Sequence, residues 1–357
     1  MEREEQKKIE DIRNNGGEVY SISRLNTINQ CPYQAYLQYV KNVKTKSNIW
    51  ACIGGVTHDV LEKCIHGEID NEETALKKAI QEELNYANTL GIDFPLDRNG
   101  NPTIRDNWIA NMNRFAENFK TPKGKFETEQ FVLYQIDDDS YMQGYIDLIR
   151  YNDDGTISIY DWKTSSQFDK AHLLQAGRQL VFYMLAKEAE GFKVRDVSWV
   201  MLKYANITWT AKNGKQQSKV CEWRNLFVEL KKKVEKDMIS AGYNDIDIEL
   251  RLEWLLEDED LSRQVPEVKE KYKISPYVRQ YEVTPEIIEE TLDYIKKSIA
   301  LFKKFGDVEE NYKPLDCYEE SFFCHNLCSF GKEKCKHYAD YLLECEINYD
   351  EIEELFT

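Results

Sequence analysis

A chain of 357 residues with 42% hydrophobic and 31% charged residues and only eight prolines holds enough apolar material for a sizeable core, and its composition is neither fibrous nor disordered. The net charge of −17 excludes a protein that coats nucleic acid through its overall field, so a polyanionic ligand has to be met by a local patch. No apolar run reaches the roughly 20 residues that span a bilayer, and the charged start Met1-Glu2-Arg3-Glu4-Glu5 lacks a signal-peptide stretch, so the expected location is cytoplasmic.

Residues 1–20 read as a flexible arm ending in Asn14-Asn15-Gly16-Gly17. Behind Pro32, the residues Cys31, Ala35, Tyr36 and Tyr39 recur at helical spacing, and Gly54-Gly55-Val56-Thr57-His58 opens a further helix, so residues 21–65 form an N-terminal helical segment. Residues 66–125 read as a helical insertion, with helices over 71–90 and 107–119. The character changes at Phe126. Residues 130–136, 141–151 and 157–163 are aromatic and β-branched runs separated by Asp137-Asp138-Asp139-Ser140 and Asn152-Asp153-Asp154-Gly155-Thr156, which predicts three antiparallel strands. A helix over 172–190 and a strand over 194–202 follow, and a strand–helix–strand connection implies a parallel addition to the sheet. Residues 126–204 are thus an α/β core. Residues 205–280 read as a second insertion with one basic amphipathic helix over 223–239. Residues 281–345 carry a helix over 285–305 and a cysteine cluster, and 346–357 form an acidic tail.

The densest chemistry lies in the hairpin. Turning about Asp154 sets Asp147 opposite Asp161, with Asp161 and Lys163 on one face and Trp162 on the other. Like charges facing each other among Ile146, Leu148, Ile149 and Ile159 destabilise a sheet unless something cationic compensates. Lys163 alone makes this a salt-bridge cluster. A hard divalent cation held by the carboxylates, with the ammonium beside it, makes it a catalytic site.

Gly144-Tyr145-Ile146-Asp147, a turn, then Asp161-Trp162-Lys163 resembles the PD-(D/E)xK signature of restriction-endonuclease-like nucleases, with Ile146 in the place of the proline. The order of further residues is similar to the RecB-like exonuclease branch: His58 on a helix before the sheet, Glu129 on an upstream strand (with Glu127 as a competitor), and Gln179 and Tyr183 four apart after the lysine. The resemblance implies an α/β fold, a mixed central sheet flanked by helices with helical insertions. It also implies roles. His58, Asp147, Asp161 and the Trp162 carbonyl would hold magnesium or manganese. Lys163 would position and help deprotonate the attacking water, Gln179 and Tyr183 would hold substrate phosphate or orient Lys163, and Glu129 would be a further catalytic carboxylate.

Of nine cysteines, Cys317, Cys324, Cys328 and Cys335 crowd one stretch. Cys324-x3-Cys328-x6-Cys335, with the distant Cys31-Pro32-Tyr33, resembles the iron–sulfur staple of the same branch, including the CRISPR-associated exonucleases, although each gap is one residue longer. That implies a 4Fe-4S cluster on Cys31, Cys324, Cys328 and Cys335. Zinc on Cys317, Cys324, Cys328 and Cys335, or on three of them with His325 or His337, stays open, as do free thiols.

Between Lys193 and Lys236 eleven basic residues stand against four acidic ones. Lys203, Lys212, Lys215, Lys219, Arg224 and Lys231 are candidate phosphate contacts, the other reading being a solvated helix face. Trp199, Trp209 and Trp223 either stack on bases or belong to the core. The function expected is a metal-dependent DNA nuclease, an exonuclease on single strands or ends serving DNA recombination or repair. A structure-specific or nicking endonuclease, and a catalytically silent DNA-binding scaffold subunit, are the alternatives. No Gly-x4-Gly-Lys-Ser/Thr loop is present, so unwinding would come from a partner such as a helicase or recombination protein.

Overall fold

The hairpin centred on Asp154 forms in the computed structural model, which describes residues 2–44, 47–211 and 213–354. Asp154 Oδ1 accepts hydrogen bonds from the backbone N–H and the hydroxyl of Thr156, and the Asn152 N–H reaches the Thr156 carbonyl at 2.9 Å, which closes the turn. Seven strands make one mixed sheet: β1 (Glu18–Tyr20), β2 (Lys125–Gln135), β3 (Ser140–Tyr151), β4 (Ile157–Lys163), β5 (Val194–Thr210), β6 (Gln216–Glu222) and β7 (Lys273–Tyr281). β2, β3 and β4 are antiparallel neighbours, and β5 joins β4 in parallel through the helix Lys170–Ala189.

The pairing leaves a notch in the middle of this sheet. β2 occupies one edge of β3 from Tyr141 to Tyr151, so β1 and β4 share the other edge, β1 reaching Met142 and β4 beginning at Leu148. Residues 143–147 therefore have one edge without a strand. On the far side, β7 occupies one edge of β5, and β4 and β6 share the other, β4 ending at Met201 and β6 starting at Tyr204. β4 thus stops at Lys163 with open backbone on both flanks.

Helices cover both faces. Ile22–Gln30, Lys170–Ala189 and Pro285–Phe305 bury Leu25, Leu180, Val181, Ile295 and Ile299 against Ile146, Ile149, Ile159 and Trp199 on one face. On the other, Ile49–Ile65, Glu72–Thr89, Thr103–Asn118, Leu226–Ala241 and Asp245–Glu257 pack around Leu61, Trp108, Phe115, Trp162 and Trp223. Each burial of a large apolar side chain is worth about 1.5–3 kcal/mol. Side-chain caps fix several starts: Ser21, Asn48, Asn71, Asp169, Asn244 and Thr284 each accept a hydrogen bond from a first-turn N–H. Among the described residues no helix is long and apolar enough to cross a membrane.

Two expectations are corrected. The arm at residues 1–20 is a helix, Glu2–Asn14, followed by β1. The helix has no broad apolar stripe to announce it and leans on Gly17, where an added Cβ would lie 2.7 Å from Ile12 Cγ2. Residues 205–280 are not simply helical: β5 runs on to Thr210, and β6 and β7 add two strands whose polar, solvent-facing residues hide the strand pattern. The tail from residue 346 continues the helix Lys336–Glu354, and residues 355–357 lie outside the described part.

Candidate active site

The notch gathers the chemistry-bearing side chains. Along β3 and β4 the ladder is regular from Tyr151↔Ile157 to Leu148↔Tyr160 and then stops. Asp147 and Asp161 are next in register, but the strands splay here. The Asp147 carboxylate takes over the lost ladder contact by accepting the Trp162 backbone N–H at 2.7 Å. On the other edge of β3 the ladder with β2 also breaks at this level: Thr128↔Leu148 and Gln130↔Ile146 pair, while Glu129, facing Asp147, sits at φ +47°. A non-glycine residue in the left-handed region costs roughly 1–2 kcal/mol. Side-chain facing switches there: Thr128 contacts Glu62 and His66 of the Ile49–Ile65 helix, whereas Val132 faces the opposite layer.

The Ile49–Ile65 helix brings His58 to the same point. Its Nδ1 is 3.6 Å from Asp147 Oδ2 and its ring stands edge-on to Trp162. One ligand atom each from His58, Glu129 and Asp147 falls within 4.8 Å of the others. Asp161 is 1% exposed and Asp147 9%. Lys163 Nζ is 2.6 Å from Asp161 Oδ2 and donates to Gln179 Oε1 at 3.3 Å, and Gln179 Nε2 donates to the Tyr183 hydroxyl at 2.8 Å. The helix carrying Gln179 and Tyr183 can approach only because residue 144 is glycine: a Cβ there would lie 2.8 Å from Tyr183 Cε1 and 3.0 Å from Phe182 Cε1.

Electrostatics call for a cation. Burial and the charge of Asp161 push the Asp147 carboxyl well above its ordinary value, and burial with Glu62 and Asp59 nearby raises Glu129. Burial lowers His58, which leaves a neutral imidazole with a lone pair to give. Burial works against the Lys163 ammonium, but Asp161 outweighs it and the pKa rises, so Lys163 keeps its proton. One imidazole nitrogen and one carboxylate oxygen each from Glu129 and Asp147 form a donor set suited to magnesium or manganese, while Asp161, expected as a ligand, lies outside this group and pairs with Lys163.

The PD-(D/E)XK nuclease superfamily model matches residues 19–284, well over half of the chain and inclusive of every residue of this site. The chain belongs to the PD-(D/E)XK nuclease superfamily. No curated protein matches the chain. Membership in the PD-(D/E)XK superfamily makes it a metal-dependent nuclease, a phosphodiester hydrolase acting on nucleic acid, and the seven-stranded mixed sheet between helical layers is the fold expected of that family.

The other candidates divide. Lys203 stands on β5 two residues beyond Met201, the partner of Lys163, and so borders the notch. It is 9% exposed, and its Nζ donates to Ser166 Oγ at 3.3 Å with no ion-pair partner among the described residues. Arg224 is tied to Glu222 and Asn107, Lys219 lies near Glu229, Lys215 is exposed in the β5–β6 turn, Lys231 is half-buried, and Lys212 lies outside the described residues. Trp199 and Trp223 are fully buried and Trp209 is covered by Lys233, so none offers a free face for a base. Glu127, the competitor of Glu129, instead accepts a hydrogen bond from the Tyr151 hydroxyl. A neighbouring pocket of about 260 Å³ was not foreseen; Ser21, Ser23, Gln143, Tyr145 and Phe182 line it and it opens onto Asp147.

Far from the notch, Cys31, Cys317, Cys324, Cys328 and Cys335 line one small space of about 20 Å³, joining the N-terminal helices to the C-terminal segment. All five are free thiols. The residues between Cys324 and Cys328 lie in a π-turn, Phe323–Leu327, closed by the Cys328 N–H, which bonds the Phe323 carbonyl at 2.8 Å.

Proposed function

We propose that this nuclease is RecB-like and hydrolyses DNA from the ends of single strands. The notch carries the reading: β4 stops in mid-sheet, and His58, Glu129, Asp147, Asp161 and Lys163 gather where it stops. The adjoining pocket of about 260 Å³ leaves room for substrate beside Asp147, and action on an unpaired end is what the resemblance to the RecB-like exonuclease branch supports.

His58, Asp147, Asp161, Glu129 and the Trp162 carbonyl would hold the metal, which when bound supplies Lewis acidity and an acidified water. Lys163, pinned between Asp161 and Gln179, keeps its proton and donates it as a hydrogen bond to the attacking water or to a phosphoryl oxygen, which screens the charge that develops. Tyr183 holds the Gln179 amide and so fixes the direction in which Lys163 points. Lys203 makes no ion pair among the described residues; burial pulls its pKa down and Glu222 only partly offsets that, so a substrate phosphate entering the notch would stabilise its charged form. Lys215, Lys219, Arg224 and Lys231 extend the positive surface along β6 and the helix after it.

The thiol set supports a 4Fe-4S cluster on Cys31, Cys324, Cys328 and Cys335. The 20 Å³ void taken alone suits one ion. Cys31 from the N-terminal helices with Cys324, Cys328 and Cys335 keeps the order of the iron–sulfur staple the chain resembles, and the thiols around one largely apolar space supply the thiolate ligation that such a cluster needs.

The test compares linear with covalently closed single-stranded DNA in magnesium or manganese. Release of nucleotides from the linear strand with the circle intact is the expected result. Cleavage of the circle would make the enzyme an endonuclease, and no cleavage of either would leave a silent DNA-binding scaffold.

A further inference from the structure

Five thiols line the cysteine site, one more than a tetrahedral centre or a four-iron cluster takes. They are not evenly spread. Cys324 Sγ and Cys317 Sγ are 3.3 Å apart, and no other hydrogen bond joins two cysteine sulfurs among the described residues. Ligands of a four-iron cube bind different iron atoms and stand roughly 6 Å apart, so two sulfurs in contact occupy a single corner. Cys31, Cys328 and Cys335, which line the same space, would fill the other three. Each of the paired thiols arrives on its own piece of backbone: Cys317 just after Leu315, whose carbonyl its thiol reaches at 3.8 Å, and Cys324 within the π-turn. Both are 8% exposed, so neither is a surface thiol.

We propose that Cys317 and Cys324 form one shared corner of the cluster site, either thiol serving as the fourth ligand while the other stands in reserve. This rests on the reading of the site as a 4Fe-4S centre. It departs from a fixed ligand set of Cys31, Cys324, Cys328 and Cys335 by making Cys324 replaceable.

Cys317→Ala, Cys324→Ala, the double variant and Cys335→Ala are purified in full-length form and reconstituted without oxygen from ferrous iron and sulfide. Iron and acid-labile sulfide per chain and the visible charge-transfer absorption are then measured. Both single variants at the shared corner are expected to retain about four irons per chain, while the double variant and Cys335→Ala lose the cluster. Loss in Cys324→Ala alone, with Cys317→Ala unaffected, would overturn the shared corner. Wild type that takes up zinc and no iron would overturn the cluster reading itself, a distinct result. Thermal unfolding of the same samples separates loss of a ligand from loss of fold, and the serine variant replaces any alanine variant that fails to fold.

Discussion

The two ends of the β3–β4 hairpin are built from the same strands by opposite rules. At the turn end, Tyr151↔Ile157 and Ile149↔Ile159 pair in register, and Ile149, Ile157 and Ile159 are at most 1% exposed in an apolar layer. At the other end, beyond Leu148↔Tyr160, the ladder is lost, two carboxylates are buried within reach of one ammonium, and the neighbouring strand carries Glu129 in the left-handed region. Pairing and apolar burial stabilise the first end, while the second spends that stability on holding charges that folding alone does not need.

The sharpest way to break this contrast is to substitute one residue at each end. Lys163→Ala is expected to slow cleavage by about 10²–10³-fold, the scale on which a preorganised electrostatic group acts, and to lower the melting temperature in chelator because Asp161 loses its partner, with manganese restoring most of that loss. Ile159→Ala is expected to cost about 2–5 kcal/mol in denaturant unfolding while the folded fraction cleaves at the normal rate. If Ile159→Ala abolished turnover in folded protein, or Lys163→Ala unfolded it, the two ends would not be separable.

A smaller effect tests the strain at Glu129. In an ordinary strand alanine is more stable than glycine by about 0.5–1 kcal/mol. At φ +47° the order reverses, and Glu129→Gly is expected to be more stable than Glu129→Ala by about 1 kcal/mol. Both variants lose the proposed metal-site carboxylate and are expected to cleave poorly. Chemical denaturation of the pair reads the sign directly, and alanine ranking above glycine would remove the strain argument.

Least disruptive is Lys203→Met, which removes an unpaired buried charge and is expected to leave stability unchanged or slightly raised. DNA binding should weaken, and the slope of log affinity against log salt should fall by about one, as for a single phosphate contact. An unchanged slope would take Lys203 out of the DNA path.

How much of this was legible in the sequence follows the same division. The hairpin register could be read because Asp154, Gly155 and Thr156 mark the turn and the flanking residues alternate. The convergence of Asp147, Asp161 and Lys163 followed from that register, whereas Gln179 and Tyr183 were picked out only by the resemblance to the RecB-like branch. The splay beyond Leu148, the φ of Glu129 and the notch were not legible. They depend on where β1, β4 and β6 end along edges shared with β3 and β5, and those ends are set by tertiary pairing rather than by local pattern. Lys203 looked like one member of a basic stretch because its isolation in the notch appears only once β5 is placed beside β4. The closeness of Cys317 to Cys324 was hidden for the same reason, since their spacing in the chain says nothing about the π-turn that carries Cys324.

The measurement that tests the central claim most directly pairs manganese binding with cleavage of end-labelled single-stranded DNA for wild type, Asp147→Asn and Lys163→Ala. Wild type should bind and cut, Asp147→Asn should do neither, and Lys163→Ala should bind manganese with wild-type affinity and fail to cut. Cleavage that survives Lys163→Ala, or manganese binding untouched by Asp147→Asn, would contradict the assignment of the notch as the catalytic centre.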